Sequence, residues 1–221
     1  MQEQPLIYRH LSVSVRYKAP LFPFDEYPFI EMIKKHGFLL ADKIEQPPLG
    51  TKLSVKGTVA RKGDVLLSME SDRQILAIHA PEPKKALEEF RDLERLLEKE
   101  LGFSGSRYVY FYELLASLSL KAKRNPLEIW SSYSSQSPKV EKFSKVLGKS
   151  ASHFGIRLSP QDLEPNQQNW FDIKIRPDLP EATRQHYVEI VYRNGTWDEV
   201  ANFTKDLDQR INQLVEIVEE Q

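Results

Sequence analysis

Residues 74–90 read QILAIHAPEPKKALEEF, and residues 186–203 read HYVEIVYRNGTWDEVANF. With one gap the two segments align, Phe90 against Phe203. Each opens on a short apolar run of strand type, breaks at Pro or Asn-Gly, and continues with apolar residues three and four positions apart. Side chains alternate across a strand but recur every 3.6 residues on a helix, so each segment reads as strand, turn and helix. The same sequence of signals, more than a hundred residues apart, implies an internal repeat.

Working outward, the elements before each segment match as well. Leu11 to Tyr17, LSVSVRY, alternates strictly and reads as a half-buried strand with Leu11, Val13, Val15 and Tyr17 inward. Residues 116–121, ASLSLK, repeat that pattern late in a strand expected over Tyr108 to Ala122. In the first half, Pro20, Pro23 and Pro28 break the chain. Asp25 is the expected cap of a helix over Phe29 to Lys35 that ends at Gly37. Strands are expected over 39–46, Thr51 to Arg61, Val65 to Ser71 and Gln74 to Ala80, with turns at 47–50 and 62–64. Pro81 and Pro83 open a helix to Leu101, with Leu87, Phe90, Leu93 and Leu97 on one face, and Gly102 ends it.

In the second half, Asn125-Pro126 opens a helix carrying Leu127, Ile129 and Trp130. Residues 131–139, SSYSSQSPK, read as a polar surface loop. A short helix over Val140 to Leu147 follows, then strands over His153 to Ser159, Trp170 to Arg176 and His186 to Arg193. Thr196 caps a last helix to Glu219, striped by Val200, Phe203, Leu207, Ile211, Leu214 and Val218. The fold class is therefore α+β: two repeats, 1–103 and 104–221, each of strand, helix, antiparallel strands and long helix.

That order, twice over, resembles the TATA-box-binding protein family. The stretch LLSMESDRQILAIHAPEPKKALEEFRDLERLLEKELGF (66–103) is similar to the family's strand, tight turn, strand and repeat-ending helix followed by Gly and Phe. The resemblance implies a saddle-like curved antiparallel sheet with helices on one face and an open face turned to DNA. The family grips DNA through paired apolar residues and inserted phenylalanines. At the equivalent strand faces this chain holds Ser12, Ser14, Lys52, Ser54, Ser117 and Ser119.

Charge sharpens the expectation. Net charge over 221 residues is −1, which excludes a wholly basic nucleic-acid protein but not a basic patch. Alternation assigns Arg16, Lys52, Lys56, Lys121, Arg157, Lys174, Arg176 and Arg193 to the open face, against Glu70, Asp172 and Glu189. The last helix region, 196–221, carries seven acids and two bases. A basic open sheet is the footprint of a phosphate-backbone binder, and Trp170 and Tyr187 beside it suit stacking on bases. The same charges also serve simply to keep a sheet face solvated.

Motifs for chemistry are missing. The chain has no cysteine, so disulfides, thiol catalysis and cysteine metal sites are excluded, and a reducing, cytoplasmic compartment is expected. His10, His36, His79, His153 and His186 are scattered without metal-ligand spacing. No GxGxxG, GxxxxGK or GxSxG occurs; Gly148-Lys149-Ser150 ends like a phosphate loop, but Phe143 stands where its first glycine belongs. The opening residues lack the apolar run of a secretory leader, and no stretch is apolar enough to span a membrane, so no membrane role is expected. The composition, rich in Glu and Lys, is thermophile-like. The expectation is a non-enzymatic binding protein with no cofactor, its partner a nucleic acid or an acidic protein. The alternative is a regulatory protein-interaction module that uses the acidic helices, as a contact surface or homodimer seam, or the aromatic segment 20–29, PLFPFDEYPF.

Overall fold

The alternation around Val13 and the alternation around Leu118 pair with each other. In the computed structural model, which describes residues 6–18, 22–42, 44 and 54–220, strand β1 (Leu6–Tyr17) runs antiparallel to the longest strand, Val109–Lys121, with Val13 opposite Leu114 and Leu11 opposite Ala116. Numbered along the chain, the strands are β1, β2 (Leu39–Leu40), β3 (Lys56–Lys62), β4 (Val65–Glu70), β5 (Ile75–His79), β6 (Val109–Lys121), β7 (Ile156–Leu158), β8 (Trp170–Pro177) and β9 (Gln185–Asn194). They form one open antiparallel sheet in the order β2-β3-β4-β5-β1-β6-β9-β8-β7. The first strands of the two halves meet in the middle, and each half then runs outward to its own edge. The sheet is thus continuous across the join between the halves.

Six helices accompany it among the described residues: α1 (Tyr27–Lys35), α2 (Pro83–Leu101), α3 (Pro126–Ser135), α4 (Pro138–Leu147), α5 (Trp197–Lys205) and α6 (Leu207–Glu219). One face of the sheet supplies the core. Leu11, Val13, Val15, Leu67, Met69, Leu76, Ile78, Leu114, Leu118, Val188 and Ile190 are buried there against helix residues Phe29, Ile33, Phe90, Leu97, Ile129, Trp130, Val200, Leu207 and Ile211. Burying each large apolar side chain stabilises the fold by about 1.5–3 kcal/mol, which is why the helical stripes dock on the strand stripes. Helix α2 ends where Gly102 takes a left-handed φ of 61° and donates its N–H to the Leu97 carbonyl.

Several expectations need correction. β1 begins at Leu6, five residues before the alternation becomes strict. The strand expected over 39–46 is only Leu39–Leu40, and that over 153–159 only Ile156–Leu158. Asp25 closes a short 3-10 turn (Pro23–Asp25), and Glu26 sits at the cap of α1 without a side-chain cap bond. The expected turn at 47–50, together with Leu53 and Lys52, lies outside the described residues.

The serine-rich segment 131–139 is mostly helical. Asn125 caps α3 by accepting the Leu127 N–H at 3.1 Å, and Ser134 and Ser135 turn their hydroxyls back to carbonyls of the same helix. Only Gln136 and Ser137 separate α3 from α4. The last helix breaks at Asp206, which separates α5 from α6, while Leu207 and Ile211 keep the apolar stripe buried. Thr196 holds the cap position of α5, but its hydroxyl donates to Asn194 rather than accepting from the helix.

The aromatic segment near 20–29 folds inward. Phe22, Phe24 and Phe29 are buried, and Phe24 meets the Tyr17, Phe29 and Phe103 rings at 5.1–5.3 Å. These rings fill the core beside α1, so the segment offers no aromatic docking surface at those three positions.

Candidate functional site

Register decides which side chains share the open face. Arg16 lies opposite Phe111, Lys56 opposite Glu70, Lys121 opposite Gln185, Arg157 opposite Lys174, Arg176 opposite Tyr187, and Trp170 opposite Arg193. All seven described members of the expected basic set thus fall on the face turned away from the helices. Two residues join them that alternation from sequence did not assign. Arg61 lies opposite Leu66, and Glu113 lies opposite both Ser14 and Arg193. Counted by strand register among the described residues, the face holds eight bases (the seven and Arg61) against four acids (Glu70, Glu113, Asp172 and Glu189), a net of +4, and Arg9 and Lys18 reach its aromatic rings besides.

The charges are not evenly free. On the second-repeat side they interlock. Arg157 grips Asp172 with two bonds, at 2.9 and 2.6 Å. Lys174 meets Glu189 at 3.0 Å, and Arg193 chelates Glu113 through Nε at 2.8 Å and through Nη2. The more exposed pairs, Arg157–Asp172 and Lys174–Glu189, each contribute little stability, about 0–1 kcal/mol, and exchange readily with other anions, whereas Arg193–Glu113 is largely shielded. Lys56, Arg61 and Lys121 stand exposed.

Four arginines lie over two aromatic rings. The Arg176 guanidinium sits 4.3 Å from the Tyr187 ring centre, and Arg9 approaches the same ring at 5.2 Å. At the other end of β9, Arg193 sits 4.1 Å from the Phe111 ring centre and Arg16 5.9 Å from it. Phe111 is buried at 3% exposure, yet it stands outside the helix-side core. It is the floor of a second, small cluster on the open face. The loop before β8 closes over this cluster: Tyr110 donates to the Asn166 carbonyl at 2.9 Å and Arg193 Nη1 to the Pro165 carbonyl at 2.8 Å. Lys18 reaches 3.7 Å above the Tyr110 ring.

Between the two arginine–aromatic stations the face is built of short side chains. Ser12, Ser14 and Ser119 are shielded by longer neighbours. His10 and His79 pack edge to face, with ring centres 5.1 Å apart, and Ser12 Oγ lies 3.3 Å from His10 Nε2. Burial lowers the basicity of both rings. His79 is pushed down to about 4, by burial first and by His10 second. Both are neutral at pH 7 and add no charge to the face. No group of three or more His, Asp or Glu among the described residues is arranged to hold a metal ion.

The helix side carries a different polar feature. A cleft of about 260 Å³ between α2 and the turn at Gly105–Arg107 is lined by Tyr17, Arg91, Glu94, Arg95 and Tyr112. Tyr112 donates to Glu94 at 3.0 Å, and Arg91 donates to the same carboxylate at 3.0 Å. Burial raises the Glu94 carboxyl above its ordinary range despite these donors. The bonds keep the carboxylate occupied within the fold, which suits a structural tie between α2 and β6.

The chain matches no family model and no curated protein sequence.

Proposed function

We propose that this is a non-enzymatic protein that binds single-stranded nucleic acid across the open face of its sheet. The observation that carries the reading is the collection of Arg16, Lys56, Lys121, Arg157, Lys174, Arg176 and Arg193 on one face by strand register. Nine strands at about 4.8 Å spacing make that face roughly 38 Å wide, enough for an extended strand to cross. Exposed Lys and Arg displace the counterions condensed on a phosphate backbone. Aromatic rings and arginine planes stack on unpaired bases whatever their sequence. The half-buried Arg176–Tyr187 pair at one end of β9 suits such stacking, while at the other end Phe111 is covered, so Arg16 and Arg193 act there by charge. A bound phosphate chain competes with Glu189 and Asp172 for their basic partners, so the reading implies moderate affinity that falls steeply with salt.

The test is binding of the purified, nuclease-treated protein to single-stranded DNA, duplex DNA and structured RNA at low and moderate salt. Salt-sensitive binding that favours the single strand supports the proposal. Equal or stronger binding to the duplex replaces it with backbone-only recognition, and no binding at low salt removes it.

A further inference from the structure

Helix α4 has an amphipathic sequence, PKVEKFSKVL, and not one of its residues is buried. Phe143, Val146 and Leu147 are 60%, 85% and 65% exposed. Singly exposed apolar residues are ordinary, but three together on one short helix are an unpartnered surface. The helix is held by its other side. Ser144 Oγ accepts the Ala151 N–H at 2.9 Å, and Val140 and Ser144 are its half-buried positions within the helix.

The charge on this helix is one-sided. Residues 138–149 carry Lys139, Lys142, Lys145 and Lys149 against Glu141, and Glu141 is held by Lys145 at 2.6 Å. At 3.6 residues per turn, the outward arc runs Lys142, Val146, Lys139, Phe143 and Leu147. Val146, Phe143 and Leu147 fall within about 100° of arc, with Lys139 among them and Lys142 at its edge. A protein groove that took this stripe would bury Lys139 with it. At the headgroup boundary of a bilayer the apolar tips dip in while the ammonium groups of Lys139 and Lys142 reach back to phosphates.

We infer that α4 is a reversible docking helix for an anionic phospholipid surface. The chain does not cross the membrane by this means: no helix among the described residues is long and apolar enough to do so. Helix α4 instead lies on the bilayer, with Phe143, Val146 and Leu147 inserted and Lys139, Lys142 and, just past the helix, Lys149 paired with lipid phosphates or carboxylates, Lys145 being held by Glu141. Each lysine brought to an acidic lipid surface contributes about 1 kcal/mol. The surface is separate from the open sheet face, and the inference does not depend on nucleic-acid binding.

The experiment is flotation of the full chain with vesicles of phosphatidylcholine and phosphatidylserine, against vesicles of phosphatidylcholine alone. The parent is expected to float with the acidic vesicles only. Two variants follow: Phe143→Ser with Val146→Ser and Leu147→Ser, and Lys139→Glu with Lys142→Glu. Since none of these residues is buried, circular dichroism and the melting temperature should be unchanged. Each variant should partition at least about tenfold more weakly. Failure of the parent to float at low salt overturns the inference, as does equal flotation of the triple apolar variant. Self-association through α4 without flotation, seen by sedimentation, also overturns it and assigns the surface to a second copy. Retained oligonucleotide binding by both variants would separate this surface from the sheet face.

Discussion

The rings of Phe90 and Trp197 stack with centres 4.9 Å apart and planes 8° apart. Phe90 belongs to α2, the long helix that ends the first repeat, and Trp197 opens α5, which follows the last strand of the second. Tyr112 of β6 meets both rings, at 6.1 and 5.5 Å. The contact ties the helix layers of the two halves together over the centre of the sheet. Phe90→Ala should cost about 3–5 kcal/mol, the usual range for emptying a buried aromatic site. Trp197, only half-buried, should cost less. A double-mutant cycle read by urea unfolding should give a coupling of about 0.5–1.5 kcal/mol, and a coupling near zero would mean that the halves are joined by the sheet alone.

At the far end of the chain Glu219 closes the fold. Its carboxylate accepts the Lys123 N–H at 2.9 Å and lies 3.1 Å from His186 Nε2, while its carbonyl accepts from Arg124 at 3.0 Å. Both His186 and Glu219 are buried. Glu219→Ala should destabilise by about 1–3 kcal/mol, because the Lys123 amide and the His186 ring lose their acceptor without gaining water. Glu219→Gln keeps an acceptor and should cost less. Equal losses for the two variants in chemical unfolding would contradict this account.

Acid sensitivity follows from the histidines. Burial holds His79 at about 4 in the folded chain and also lowers His10 and His186, against about 6.5 when unfolded. The unfolded chain therefore binds more protons between these values, and stability must fall as pH drops through that window. The contribution is fully present above about pH 6.5 and is lost progressively toward pH 4. His79→Gln should flatten the decline of melting temperature over that range by an amount equivalent to about 1–2 kcal/mol, allowing for solvent screening at a partly exposed ring. An unchanged pH profile would exclude His79 as a cause.

Gly155 precedes the edge strand β7 with φ at +150°, and a Cβ there would sit 2.6 Å from the Ile175 carbonyl oxygen. The neighbour is backbone in the middle of β8, so it cannot yield cheaply. Gly155→Ala should free β7 and with it Arg157, the partner of Asp172. Hydrogen exchange should show lost protection at Ile156–Leu158, with global stability down by about 1–3 kcal/mol. Protection equal to the parent would show that the backbone relaxes at this point.

Much of this arrangement was written in the alternation of the chain. LSVSVRY placed Val13 and Val15 inward, and the same parity put Lys56, Lys174, Arg176 and Arg193 on the open face, where register leaves them. Parity failed at Arg61, because a register shift between Thr58 and Ala60 resets the period that Val55 and Val59 set. Glu113 was legible by parity, since β6 pairs with β9 without a break from Tyr112 to Lys121. Period 2 is informative only while no extra residue is inserted. The serine-rich end of α3 was illegible for a different reason. Serine favours turns by bonding to the backbone, but Ser134 makes that bond to Trp130 four residues back, within the helix. The break at Asp206 left no mark because the apolar stripe runs on through Leu207. The pairing of bases with Asp172, Glu189 and Glu113 depends on which strands become neighbours, and strand order is not contained in any single strand's pattern.

The most direct test of the account is fluorescence anisotropy of a labelled single-stranded oligonucleotide across a salt series, with the parent and with Lys56→Glu, Lys121→Glu and Arg176→Glu combined. The account predicts that the parent binds with a steep log–log salt slope, about 0.7 per phosphate contact, and that the triple variant loses both affinity and about two to three units of contact from that slope. Binding by the triple variant as tight and as salt-dependent as the parent's would show that the open sheet face is not where the strand lies.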